Sequence, residues 1–197
     1  MPKVTEEYRV ARRDEIASAA IRAFARKGFA TTSMADIIAE SGLSAGAIYG
    51  NFANKAELVQ TVAERILGGR LSELEAARRA SALPSPGELV GVIMAGIVAE
   101  VGSPSMLVQV WGAAMTDPAL KTLAQRIMGR LTEAFAAHIS LWHQREHGLS
   151  ESAASARAAE QTPLFVAACQ GYILHSALLP DFDSNGYLTS VAKNLPR

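Results

Sequence analysis

The chain has one cysteine, Cys169, so no intrachain disulfide can hold it together. A reducing compartment fits that usage best. Neither sign of charge is in excess, since 19 Lys and Arg stand against 19 Asp and Glu. A global basic field is therefore no argument for a nucleic-acid or membrane partner. Long hydrophobic runs are missing as well. The longest, LVGVIMAGIVA from Leu89 to Ala99, falls well short of the ~20 apolar residues that cross a bilayer. The start, MPKVTEEYRVARRDE, is charged throughout and carries no apolar signal-peptide stretch. The expectation is a cytoplasmic protein with no membrane partner.

Catalytic patterns are equally scarce. No paired carboxylates, nucleophile elbow, phosphate-cradling glycine loop or Cys/His cluster stands in the sequence, so neither an enzyme nor a cofactor is expected. His143 and His147 have the i, i+4 spacing of two metal ligands on one helix. They lack a nearby Glu/His partner cluster, and imidazoles near a helix C-terminus are favoured by the helix dipole. No metal is expected there.

What the sequence does contain is helix signal nearly everywhere, with no sustained period-2 alternation between hairpin turns. The fold class is all-α. Ile16, Ala17, Ala20, Ile21 and Phe24 form one stripe of a first helix that starts near Arg9 and stops at Gly28. Ser33 precedes a two-turn helix with Asp36 three residues on, the spacing of a capping box, and Gly42 offers a left-handed exit. Ser44 caps a short segment from Ala45 to Phe52, and Asn54 with Glu57 starts a long helix from Lys55 to about Ala80. Leu83-Pro84-Ser85-Pro86-Gly87 is the clearest linker. Beyond it the spacing predicts helices over 88–101, 105–116, 118–147, 151–179 with a break or kink at Pro163, and 187–195.

Two short helices joined by a glycine-containing turn, placed after a packing helix, have the layout of a helix-turn-helix. An ordinary helical hairpin uses the same turn chemistry. In a helix-turn-helix the second helix enters the major groove. Ser44, Ala45, Gly46 and Ala47 are small enough to bring the backbone close to base edges and phosphates, while Ile48 and Phe52 face back onto the first two helices. Tyr49 would direct its hydroxyl at a phosphate, Asn51 follows in the same segment, and Lys55 would bind the same strand. Thr31, Thr32 and Ser33 offer hydroxyls at the opposite lip of the groove. The first thirty residues are mildly basic, with seven Lys and Arg against four Asp and Glu, which a solvated helix face explains equally well.

The run FARKGFATTSMADIIAESGLSAGAIYGNFANKAEL, from Phe24 to Leu58, closely resembles the DNA-binding domain of the TetR family of transcriptional regulators. The pattern falls on Phe24, Gly28, Thr32, Ser33, Asp36, Ile37, Gly42, Leu43, Ser44, Gly46, Tyr49, Phe52, Lys55 and Leu58. Ile38 departs from it, standing where the family mostly has a small residue, and Ala45 occupies a position that is often basic or polar. The resemblance implies an N-terminal three-helix DNA-binding domain over 1–54 and an effector-binding and dimerisation domain over 55–197. It implies a homodimer through the last two helices, a double-stranded DNA operator of pseudo-palindromic sequence, and a small-molecule effector. The helix from Lys55 would be the lever between the two domains.

For the effector, Met94, Met106, Trp111, Met115, Phe135, His138, Trp142, Phe165, Cys169, Tyr172 and His175 are bulky, soft or hydrogen-bonding residues at helical spacing. Each alone reads as ordinary core, and as a set they suit an adaptable apolar cavity. The expected function is a ligand-responsive repressor of the TetR type. The alternatives are a constitutive DNA-binding protein on the same fold, and a helical small-molecule-binding protein or enzyme. Cys169 reads as a small buried hydrophobe, with redox sensing as the alternative. Gly171, flanked by Ala167, Ala168 and Ser176, would permit a close helix approach.

Overall fold

The computed structural model describes residues 5–195, so the extreme ends of the two expected domains, residues 1–4 and 196–197, lie outside the described residues. Nine helices and no strand occur among them: α1 (Glu6–Lys27), α2 (Met34–Ser41), α3 (Ala45–Tyr49), α4 (Lys55–Arg79), α5 (Pro86–Val101), α6 (Ser105–Ala114), α7 (Pro118–His147), α8 (Glu151–Leu178) and α9 (Ser184–Asn194). The chain divides into two compact units that meet inside α4, between Arg65 and Ile66. The sequence reading places that boundary at 54/55, where α4 begins. Among the described residues no single helix is long and apolar enough to cross a membrane.

The first unit is held by short-range chemistry. Thr5 caps α1 by accepting from the Tyr8 N–H, and Gly28 ends the helix at φ 89°. Glycine adopts that angle without the steric cost that a Cβ brings. Ile16, Ala17, Ala20, Ile21 and Phe24 are all buried, the stripe that periodicity predicts. Ser33 and Asp36 form a true capping box on α2, whose exit at Gly42 is left-handed at φ 68°. The basic bias of this region is largely absorbed within the unit. Arg22 and Arg26 pair with Glu40 at 3.1 and 2.9 Å, and Lys27 pairs with Asp36 at 2.7 Å. These contacts tie α1 to α2, and the Lys27 and Ser33 donors hold the Asp36 carboxyl well below the usual carboxylate range.

α3 stops at Tyr49 rather than Phe52. The chain tightens there, with Gly50 N–H bonding Gly46 O at 3.0 Å and the Asn51 and Phe52 N–H groups both reaching Ile48 O. The tightening drives Phe52 into the core, where it is fully buried with Ile48.

The second unit is a helical bundle in which α7 and α8 pair most extensively and α5 packs on both α8 and α9. Ser85 and Glu88 close a capping box that starts α5 at Pro86, two residues before the expected start. Gly87 is what lets α9 approach, because a Cβ there would stand 2.7 Å from Ala192 Cα. α7 runs over the expected range, capped by Asp117 and ended by Gly148 at φ 63°. Of the break or kink expected at Pro163, the break is absent, since α8 runs on through it; the proline is on the exposed side. α9 begins at Ser184, earlier than Tyr187, because Asp183 accepts from the Gly186 N–H.

Candidate functional site

The recognition-helix candidate presents a face of small residues and one aromatic ring. Ser44 caps α3 by accepting from the Ala47 N–H at 3.2 Å. Ile48, fully buried, anchors the helix to the unit's core, while Ser44, Ala45, Gly46 and Tyr49 on the remaining turn are exposed. Tyr49 is 54 % exposed, unusual for an aromatic ring that has a core nearby. Ala47 is half-buried. Thr31 and Ser33 are exposed too, although the Ser33 hydroxyl is bonded to Asp36 at 2.6 Å and Thr31 bonds back to the Lys27 carbonyl.

Three of the expected contact residues are committed elsewhere. Thr32 is buried, and its hydroxyl donates to the carbonyls of Gly28 at 2.6 Å and Ala23 at 3.3 Å. It closes the α1–α2 corner and offers nothing to a groove. Asn51 is half-buried, its amide bonded to Ala47 O at 2.9 Å. The Lys55 ammonium turns inward, donating to the Phe29 carbonyl and lying 4.7 and 5.6 Å from the Phe29 and Phe24 ring centroids. Desolvation lowers its pKa.

Sequence reasoning missed the residue that fixes this face. Arg13 of α1 donates to the Asn51 carbonyl, to Glu57 Oε1 at 3.2 and 3.3 Å and to Thr61 Oγ1 at 3.1 Å. Glu57 in turn accepts from the Ala53 N–H at 2.9 Å. The exit of α3 and the start of α4 are thereby clamped to α1. Arg13 stands three residues before Ile16, at the edge of the buried stripe. A cation at that position was the available signal.

The second unit contains a cavity of about 110 Å³. Four of the eleven expected effector residues line it: Met94, Trp111, Phe135 and Cys169. The remainder of its wall is mostly aliphatic, including Ile93, Ile97, Leu131 and Ile173, with Arg70, Thr132 and Gln170 as the polar members. Met115, 81 % exposed, lies instead in an open groove that shares Trp111, Met128 and Gln170 with the cavity wall.

The other six residues serve packing. Met106 and Phe165 are core. His138, fully buried, bonds the Pro84 carbonyl through Nε2 at 2.9 Å, pinning the linker before α5. Trp142 stacks edge-on against His143 and His147. Tyr172 and His175 join Phe182 and Tyr187 in an aromatic cluster between α8 and α9. Gly171 permits a close approach within the chain: Tyr187 donates to Ala168 O at 2.8 Å across it. Burial pushes the Cys169 thiol up to about 12, leaving it protonated and apolar in character.

The His143 Nε2 is bonded to Gln161 Oε1 at 2.9 Å. Among the described residues no group of three or more His, Cys, Asp or Glu could hold a metal ion.

The family model described as bacterial regulatory proteins, tetR family, matches residues 16–62. That span contains α2, α3 and the buried face of α1. The N-terminal unit is a tetR-family domain. Relatives match over part of the chain: the uncharacterized HTH-type transcriptional regulator YfiR of Bacillus subtilis is 40% identical over 74 residues, covering 38% of this chain and 36% of the relative. The HTH-type transcriptional regulator TtgR of Pseudomonas putida is 44% identical over 66 residues, covering 34% of this chain and 31% of the relative. The match thus spans about a third of these curated relatives.

The fold likeness reaches further than the tetR-type domain. A TetR-family transcriptional regulator from Cytophaga hutchinsonii superposes with a TM-score of 0.71 at 22% identity, covering 97% of this chain and 95% of its own. The transcriptional regulator FadR from Bacillus subtilis, solved in complex with stearoyl-CoA, superposes at 0.69 with 14% identity, covering 93% and 99%. At those identities the likeness is one of fold, an N-terminal helix-turn-helix unit followed by a helical C-terminal unit.

Proposed function

We propose that the protein is a transcriptional repressor that binds a pseudo-palindromic operator as a homodimer and is released by a small, largely apolar effector. The observation that carries the DNA-binding part is the exposed face of α3. Small residues and one aromatic ring point outward there, on a helix whose opposite side is fully buried at Ile48 and clamped through Arg13. A face so built costs little entropy to dock, because its backbone is already ordered. Ser44, Ala45, Gly46, Ala47 and Tyr49 make the close approach; Thr31 and Ser33 stand at the other lip. Lys55 joins them by exchanging the Phe29 carbonyl for a phosphate oxygen. Two copies would read half-sites about 34–36 Å apart, one turn of the duplex.

The apolar-walled cavity of the second unit supports the effector part. That the similarly folded FadR is solved with stearoyl-CoA supports a ligand-holding role for this bundle. An effector releases the operator only through its differential affinity for the two states of the protein.

Footprinting the purified protein on the DNA upstream of its own coding sequence tests the reading. A protected pseudo-palindrome is expected, and protection lost on addition of a cavity ligand. Absence of any protected region at low salt would sink the DNA-binding reading. A footprint that no cavity ligand disturbs would leave a constitutive DNA-binding protein.

A further inference from the structure

The apolar cavity of the second unit holds one charged side chain. Arg70 sits on α4 in the same stripe as Leu67 and Leu74, at i−3 and i+4, and is only 5 % exposed. Its Nη2 donates to Glu73 Oε1 at 2.9 Å. Its Nε and Nη1, and Glu73 Oε2, are buried without a hydrogen-bond partner. The charge is paired with Glu73, but a buried guanidinium with two of its three nitrogens unbonded keeps unsatisfied donors, and such groups are retained where something else completes them. α5 makes the room: a Cβ at Gly96 would stand 2.6 Å from Arg70 Cζ and would also collide with Glu73 Oε1. Any other residue at 96 would displace the pair.

We propose that the cavity takes a compact apolar carboxylic acid in its anionic form, its hydrocarbon body among Ile93, Met94, Phe135 and Ile173 and its carboxylate received by Arg70. The inference rests on the effector reading above. A cavity of about 110 Å³ is smaller than the engineered apolar cavities of ~150 Å³ that take up benzene, which limits the ligand body to a compact one. The guanidinium presents a planar fork of donors that matches a carboxylate bidentately, which a neutral acceptor cannot reproduce. The Glu73 side chain is 30 % exposed. It can therefore turn toward water as the ligand carboxylate takes over Nη2.

The test titrates the full-length protein by calorimetry and thermal shift with benzoate and cyclohexanecarboxylate, each against its uncharged amide. The acids are expected to bind at least about tenfold more tightly than the amides, as a site built around a hydrogen-bonded charge rejects analogues lacking it. R70M should bring each acid down to its amide while leaving amide binding nearly unchanged. Should R70M fail to fold, by circular dichroism, E73Q replaces it. Freeing Nη2 from a competing carboxylate should then raise acid affinity severalfold without affecting the amides. Equal affinity for acid and amide in the native protein, or a preference that survives R70M, overturns the inference while the cavity reading stands. If neither class binds, both fall. Acid preference without any change in the operator footprint supports the inference and removes the effector reading instead.

Discussion

The Arg13 guanidinium carbon stands 4.1 Å from the centroid of the Phe52 ring. One cation on α1 thus covers the ring that plugs the exit of α3, and its fork reaches the Asn51 carbonyl, Glu57 and Thr61 from the same position. Placing α3 relative to α1 is the mechanical requirement for any groove-reading helix, because base contacts have little tolerance for misplacement. R13M keeps much of the stem over Phe52 and removes every hydrogen bond. It should cost about 1–2 kcal/mol of local stability, in line with partly exposed charge-assisted bonds. Hydrogen exchange should show faster amides at 50–58, with DNA affinity falling on specific and random sequences alike. Unchanged exchange at those amides would remove Arg13 from this role.

How far each contact residue belongs to the DNA rather than to the fold is separable by salt. Y49F should weaken specific and random DNA by a similar severalfold factor, since a phosphate contact positions without specifying. K55A should weaken both and lower the slope of log K against log salt by about one unit. T32V, by contrast, should cost about 1 kcal/mol of stability through its lost carbonyl bonds, while the salt slope stays as in the native protein. A flattened slope in T32V would restore Thr32 to the interface.

The local parts of this architecture were readable because their causes are local. Ser33 with Asp36, Ser44 with Ala47 and the glycines at 28, 42 and 148 act within five residues of sequence, and the structure forms each of these caps or exits. Which large side chains enclose the cavity was not readable in the same way. Met94, Trp111 and Phe135 face it, whereas Phe165, Trp142 and Tyr172 have the same chemistry and pack elsewhere. The difference is helix rotation and crossing geometry, which periodicity within one helix does not specify. The inward turn of Lys55 was not readable for a related reason: the carbonyl that accepts its hydrogen bond lies 26 residues away. Arg70 was the missed signal that could have been caught, a lone charge in the same stripe as Leu67 and Leu74.

Gly171 and Tyr187 form the tightest helix approach at the α8–α9 corner. A Cβ at 171 would stand 2.7 Å from the Tyr187 hydroxyl oxygen, the atom that donates to Ala168 O. G171A should therefore expel the hydroxyl and cost about 1–3 kcal/mol, the range for overpacking. Y187F removes the hydroxyl and leaves the ring cluster with Tyr172, His175 and Phe182. In a double-mutant cycle the pair should be less destabilised than the sum of the single changes, because the same contact is lost only once. Additive effects would mean that the alanine methyl is accommodated by another shift.

Acid sensitivity of the second unit should trace to His138. The imidazole is fully buried on α7 with its Nε2 bonded to the Pro84 carbonyl. Desolvation pulls its pKa below the ordinary histidine value; the Pro84 bond opposes this and the Arg78 cation adds to it. The folded state therefore takes up the proton less readily than the unfolded chain, whose histidine titrates near ~6.5. Its contribution is intact above that pH, and stability declines as pH falls below it, because the unfolded state then binds more protons. H138N retains a donor for the Pro84 carbonyl without the titration. Both tryptophans, Trp111 and Trp142, lie in this unit, so urea unfolding followed by tryptophan fluorescence reports on it directly. Between pH 7.5 and 5 the native protein should lose stability more steeply than H138N, and parallel curves for the two would assign the acid sensitivity to another group.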